Sequence, residues 1–251
     1  MFGLPDGVAA CLFDMDGVVT KTAIVHAAAW KQMFDDFLRE RAKSTGTEFV
    51  PFDSHHDYDA YVDGKPRQDG TRAFLESRGI ELPEGSPDDP PGTETINGLS
   101  NRKNDLVLVK LNENGVQVYD DTITFIKAVR GKGMPTAIVS SSANTKQVLD
   151  VAKIADLFDV RVDAQYAKEH NLHGKPAPDT FLAAAEALKV PAAHAAVFED
   201  ALACVAAGHA GHFALLVGVD RVGQADGLRE HGADVVVEDV AGLLSQDGGA
   251  R

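Results

Sequence analysis

The sequence predicts an α/β protein: a parallel β-sheet core, interrupted just after its first strand by an all-helical insertion. Three observations predict it. Apolar runs alternate with amphipathic segments from Thr122 onward, and strands alternating with helices of that length require right-handed crossovers and a parallel sheet. Almost no strand pattern appears between Thr22 and Asn114. The opening run, Ala9–Phe13, stands alone at the start of the chain and must find its partners in the later sheet. The core is therefore residues 1–20 and 118–251, and the helical insertion is residues 21–117.

Each element follows from its own pattern. After the first strand, Ala27, Trp30, Met33, Phe34, Phe37, Leu38 and Arg41 fall at helical spacing and give an amphipathic helix with an acidic outer face. Residues 44–70 are polar and rich in Asp, His, Gly and Pro, and read as loop with short helical turns. Thr71–Arg78 reads as a short helix ended by Gly79. Residues 83–92 are a Pro/Gly/Asp loop, and a helix runs from Thr95 to Asn112. In the core, a helix at Thr122–Arg130 leads to the strand Pro135–Ser140. A helix at Thr145–Lys153, a strand at Phe158–Asp163 and a helix at Asp179–Lys189 follow. The strand Ala195–Phe198, the helix Ala201–Ala207, the strand Phe213–Val217, the helix Gly223–His231 and the strand Asp234–Val237 complete the sheet. Residues 245–251 read as a frayed tail.

Composition excludes several classes of function. With 251 residues, 44% hydrophobic and 25% charged, the chain is an ordinary globular protein. A formal net charge of −14 argues against nucleic acid or an anionic membrane as partner, since both need a basic footprint. It also means that an anionic substrate needs local cations to overcome the global field. Cys11 and Cys204 lie in apolar stretches and read as buried free thiols in a reducing compartment. No secretory signal and no apolar stretch long enough to span a bilayer is visible, so a cytoplasmic location is expected; the chain is separately expected to act as a monomer. His55-His56, His209 and His212 read as solvated surface, and Trp30 as core of the insertion.

The chemistry-bearing residues fall at strand ends. Asp14 and Asp16 follow the run ending in Phe13; on extended chain they share a face, and their mutual repulsion implies an intervening cation or proton. Ser140-Ser141-Ser142 closes the next strand and Glu199-Asp200 another, while Lys175 in Gly174-Lys175-Pro176 precedes a helix. A parallel sheet puts all of these on one edge, where α/β folds bind ligands. Carboxylates without nearby His or Cys suit a hard cation such as Mg²⁺. A metal, hydroxyls and a lysine facing one another suit a phosphoryl group. Singly, each has a bland reading: a solvated Asp pair, turn serines, a Lys-Pro loop, acids at a helix start. Their convergence on one edge is what favours chemistry.

Asp14-Met15-Asp16-Gly17-Val18, Ser140, Lys175 in Gly-Lys-Pro-Ala-Pro-Asp, and Glu199-Asp200 together resemble the four signatures of the haloacid dehalogenase (HAD) superfamily, whose core is Rossmann-like. Three further stretches resemble its β-phosphoglucomutase-like members. They are Thr20-Lys21-Thr22-Ala23-x-x-His26-x-x-Ala29-Trp30, Val62-Asp63-Gly64-Lys65-Pro66-Arg67 and Arg102-Lys103-Asn104-Asp105. The resemblance implies that Asp14 is a nucleophile forming an aspartyl phosphate and Asp16 a general acid/base. It implies Mg²⁺ held by Asp14, the Asp16 carbonyl and Asp200, with Glu199 ordering its waters. Ser140 and Lys175 would bind the phosphoryl oxygens, with Ser142 and Asn144 as further contacts. In the insertion, a helical cap by this resemblance, Arg67 would grip a second phosphate, aided by Lys65. Thr22, His26, Lys103 and Asn104 would address the sugar. The implied reaction converts β-glucose 1-phosphate to glucose 6-phosphate; a sugar-phosphate or phosphoglycolate-like phosphatase is the alternative. The chain departs from the pattern at Lys21, at Asp63, in a longer 44–60 loop, and at Ala201, where a small hydroxyl residue is usual.

Overall fold

A computed structural model describes residues 2–245; the rest of the tail read at 245–251 lies outside the described residues. The chain divides into two compact units, Met1–Lys21 with Val116–Arg251, and Thr22–Gly115. Strand β1 (Ala10–Asp14) opens the first, and α1 (Ala23–Thr45), α2 (Arg67–Ser77) and α3 (Ile96–Asn114) make up most of the second. The chain then continues through α4 (Asp120–Gly131), β2 (Thr136–Val139), α5 (Thr145–Ala152), β3 (Val160–Val162) and α6 (Ala164–Glu169). It closes with α7 (Asp179–Ala187), β4 (Ala195–Glu199), α8 (Leu202–Ala210), β5 (Leu215–Val219), α9 (Ala225–Glu230) and β6 (Val235–Val237).

The sheet is six-stranded in the order β3-β2-β1-β4-β5-β6, with every pair parallel. Burial on both faces explains the unbroken apolar runs: all five residues of β1, β4 and β5 are buried. Alternation sends Leu12 to one face, with Val139, Val197, Phe181 and Leu228. Phe13 goes to the other, stacked on Phe198 at 4.5 Å and edge-on to Phe125 of α4 at 6.3 Å. The order in which successive strands are laid across the sheet reverses between β1 and β4, which pair in parallel from Ala10↔Ala195 to Phe13↔Phe198. The carboxyl ends of strands at such a switch point open a crevice, and Asp14 and Glu199 stand there. Cys11 and Cys204 are buried free thiols.

The second unit holds no strand among its described residues. Its core centres on Phe34, whose ring lies 5.3 Å from Trp30, 5.2 Å from Phe52 and 4.2 Å from Phe74. Buried Asp35 accepts from the Phe52 amide at 2.9 Å and from Lys31 Nζ at 3.0 Å, tying the polar loop to α1. A π-helical turn occupies Tyr58–Val62, inside the stretch read as loop with short helical turns. Two local features differ from the sequence reading. Helix α2 begins at Arg67 rather than Thr71 and includes Gly70, a close-approach residue where an added Cβ would stand 3.3 Å from the Val62 backbone. The short helix α6 was not legible; it is started by Asp163, whose carboxylate accepts from Tyr166 N at 2.9 Å.

Candidate active site

The turn leaving β1 is built by the backbone. Met15 O accepts from Val19 N at 3.0 Å and Thr20 N at 2.8 Å, and Thr20 O accepts from Gly17 N at 2.8 Å. Gly17 adopts φ +93°, and a Cβ there would overlap Asp200 Oδ2, so glycine is what lets the loop after β4 approach the loop after β1. Asp14 is 6% exposed, Glu199 1% and Lys175 2%. Lys175 Nζ donates to Asp14 Oδ1 and, at 2.5 Å, to Glu199 Oε1. Ser140 Oγ accepts from Ser142 N at 3.1 Å, which leaves its proton for Asp16 Oδ2 at 3.5 Å. Ser142 Oγ likewise accepts from Asn144 N at 3.1 Å, so the serine run makes a turn as well as facing the site.

Charge dominates this edge. Burial, then Glu199, raises the Asp14 pKa well above the ordinary carboxylate range, with Asp16 adding to the effect and Lys175 opposing it. Burial also works against the Lys175 ammonium, yet Asp14 and Glu199 outweigh it and hold its pKa well above that of an ordinary lysine. One ammonium does not balance this set of acids. Carboxylate oxygens of Asp14, Glu199 and Asp200 lie within 4.8 Å of one another, the spacing of a shared cation. The all-oxygen donor set and the negative surplus fit a hard divalent ion such as Mg²⁺.

In the second unit, Lys103 Nζ lies 2.8 Å from His26 Nδ1 and 4.7 Å over the Trp30 ring, although only 5% of Lys103 is exposed. With the lysine charged, the imidazole nitrogen accepts. Thr22 is buried and its carbonyl accepts from His26 N at 2.9 Å. Arg67 Nη2 donates to Asn101 Oδ1 at 3.3 Å, and burial lowers the arginine's pKa, with Asp105 opposing the shift. Lys65 does not join the His26–Lys103 pair: its ammonium donates to Ala60 O at 3.3 Å. Asn104 follows Lys103 in α3 and is half-buried. His55, His56, His209 and His212 are exposed.

Several supports were not singled out from sequence. Asp179 Oδ2 accepts from His173 N at 3.0 Å and lies 2.9 Å from His173 Nδ1, bracing the loop that carries Lys175. Asn101 donates to Pro87 O and Asp89 O, each at 3.0 Å, and so aims its oxygen at Arg67. Gln224 Nε2 donates to Asp200 O at 2.9 Å. Only Asp179, at the end of the Gly-Lys-Pro-Ala-Pro-Asp run, carried a local signal; the others come from elements distant in sequence.

The fold and its acid–lysine edge define a class. Residues 8–212 match the family model of haloacid dehalogenase-like hydrolases, and the chain belongs to that family. Within it, the chain is similar to the β-phosphoglucomutases: that of Mycobacterium tuberculosis is 55% identical over 247 residues, 97% of this chain and 94% of that protein. A solved β-phosphoglucomutase from Clostridium difficile superposes with a TM-score of 0.72 at 24% identity, covering 93% of this chain and 92% of the other, and shows the same fold. An uncharacterized glycosyl hydrolase of M. tuberculosis is 35% identical over 96% of this chain, which matches 18% of that longer protein.

Proposed function

We propose that this protein is a sugar phosphomutase that converts β-D-glucose 1-phosphate to glucose 6-phosphate through an aspartyl phosphate on Asp14 and a bound 1,6-bisphosphate. The observation that carries the reading is the buried Asp14–Lys175–Glu199 cluster beside Asp200, in a chain 55% identical along almost its whole length to a β-phosphoglucomutase. With Asp14 already carrying a phosphoryl group, the C6 hydroxyl of β-glucose 1-phosphate gives its proton to Asp16 and attacks the aspartyl phosphate, forming the 1,6-bisphosphate and freeing the Asp14 carboxylate. Asp14 then attacks the C1 phosphorus of the bisphosphate, and the leaving C1 oxygen takes the proton from Asp16, which releases glucose 6-phosphate and restores the aspartyl phosphate. Lys175 and Ser140 donate to the phosphoryl oxygens as charge spreads over them, with Ser142 and Asn144 beside them. Asp14, the Asp16 carbonyl and Asp200 would hold Mg²⁺, and Glu199 would order its waters; when bound, the ion offsets phosphoryl charge.

In the helical unit, Arg67 grips a phosphate in bidentate fashion, with Lys65 adding charge. Thr22, His26, Lys103 and Asn104 orient the sugar. The link to a glycosyl hydrolase relative supports a sugar as the phosphate carrier. No described helix is long and apolar enough to cross a membrane, and we place the enzyme in the cytoplasm as a monomer. The test is ³¹P NMR with Mg²⁺, β-glucose 1-phosphate and a trace of glucose 1,6-bisphosphate. Glucose 6-phosphate is the expected product, lost in Asp14→Asn. Inorganic phosphate as main product would move the assignment to a phosphatase.

A further inference from the structure

The loop between β5 and α9 is built more firmly than a surface turn needs to be. Asp220, 6% exposed, accepts at Oδ1 from three successive amides: Val222 at 3.1 Å, Gly223 at 2.7 Å and Gln224 at 2.9 Å. Arg221 anchors the same loop on another side, donating to Asp121 Oδ2 at 3.0 Å, Thr122 Oγ1 at 3.0 Å and Glu238 O at 2.7 Å. Gln224 is thereby held with its side-chain amide on the Asp200 carbonyl at 2.9 Å.

That carbonyl belongs to the Asp200–Ala201 peptide, whose amide hydrogen is also taken: Ala201 N donates to Glu199 Oε2 at 3.1 Å. A trans peptide is planar, with its C=O and N–H pointing in opposite directions. One bond on each edge therefore restrains the rotation of that plane at the Asp200 Cα, and so the stretch of backbone from which the Asp200 side chain leaves the chain. The tolerance is small, because the carboxylate occupies the space a Cβ on Gly17 would fill. Glu199 is already divided between Lys175 and Ala201 N. Position 201 carries no hydroxyl, and α8 begins without a side-chain cap. The bond from Gln224 adds a constraint from outside the acid cluster.

We infer that Gln224, delivered by the Asp220 turn, is a positioning residue for the metal-binding acid Asp200. It sets the affinity of the site for its divalent ion and does not touch the sugar. The inference rests on the reading of Asp200 as a metal ligand. That reading is checked by itself if Asp200→Asn abolishes Mn²⁺ binding to the wild-type fold, measured by isothermal titration calorimetry on the full chain. The test of Gln224 is Gln224→Met, which keeps the length of the side chain and cannot donate, alongside Gln224→Ala. Both are expected to weaken Mn²⁺ binding about tenfold, the scale seen when an outer partner of a metal ligand is lost. The Mg²⁺ concentration for half-maximal turnover should rise in parallel, with the sugar-phosphate KM at saturating Mg²⁺ unchanged. A Gln224→Met protein that binds Mn²⁺ as wild type does would overturn the inference, leaving Asp200 as a ligand. So would a lowered unfolding temperature in EDTA with unchanged Mn²⁺ affinity, because the bond would then serve the fold alone.

Discussion

Gly17 and Asp16 show how narrowly single residues determine this site. Gly17 combines φ +93° with a contact that leaves no room for a methyl group beside Asp200 Oδ2. Gly17→Ala should abolish Mn²⁺ binding and turnover together, with backbone strain lowering the unfolding free energy by about 1–3 kcal/mol. Calorimetry and urea unfolding separate the two effects. Asp16, facing Ser140 Oγ, is the proposed acid/base, and Asp16→Asn should lower kcat by about 10²–10⁴-fold while calorimetric Mn²⁺ binding persists through Asp14 and Asp200. Residue types and order pointed to this chemistry in advance, since acids at strand ends, a lysine and hydroxyls are visible in the chain. The bonds that orient them were not: Gln224 reaches Asp200, and Asn101 reaches Arg67, across gaps that only folding closes.

At the scale of elements, apolar spacing was a good guide where burial is one-sided or complete. The strands from β1 to β6 stand where apolar runs mark them, and α1 carries Trp30, Met33, Phe34 and Phe37 on its buried face. Reading failed where polar composition hid order. Gly70 and the segment before it look like loop, yet Val62 packs against Gly70 inside α2. The polar 44–60 stretch is held by buried Asp35 and by Asp57, which pairs with Arg78 at 2.7 Å. The aromatic cluster around Phe34 is the main apolar anchor of the helical unit. Phe34→Ala should therefore cost about 3–5 kcal/mol in urea unfolding, whereas an exposed Val109→Ala should change it little.

For the whole molecule, the relevant balance is of charge. A chain of net charge −14 gathers further acids at one sheet edge, and in the metal-free protein the result is a raised Asp14 pKa. The folded state then binds that proton more tightly than the unfolded chain does. Its contribution to stability is complete below the unfolded carboxylate pKa of about 4 and is lost as pH rises through the elevated folded value. The unfolding temperature of metal-free wild type, taken relative to Asp14→Asn, should fall with rising pH above that point. Mg²⁺ should remove the fall, because it binds the folded form and replaces the proton. The sequence by itself determined the parallel α/β core, the helical character of the insertion, and which residue types stand at the strand ends. Those features follow from local periodicity and from the rule that parallel strands present their carboxyl ends together. Only the tertiary structure decided that β1 and β4 are neighbours at the switch point, that Lys175 lies between Asp14 and Glu199, and that Gln224 holds Asp200. Those contacts join segments far apart in the chain, and no local pattern encodes which distant groups will share a buried charge.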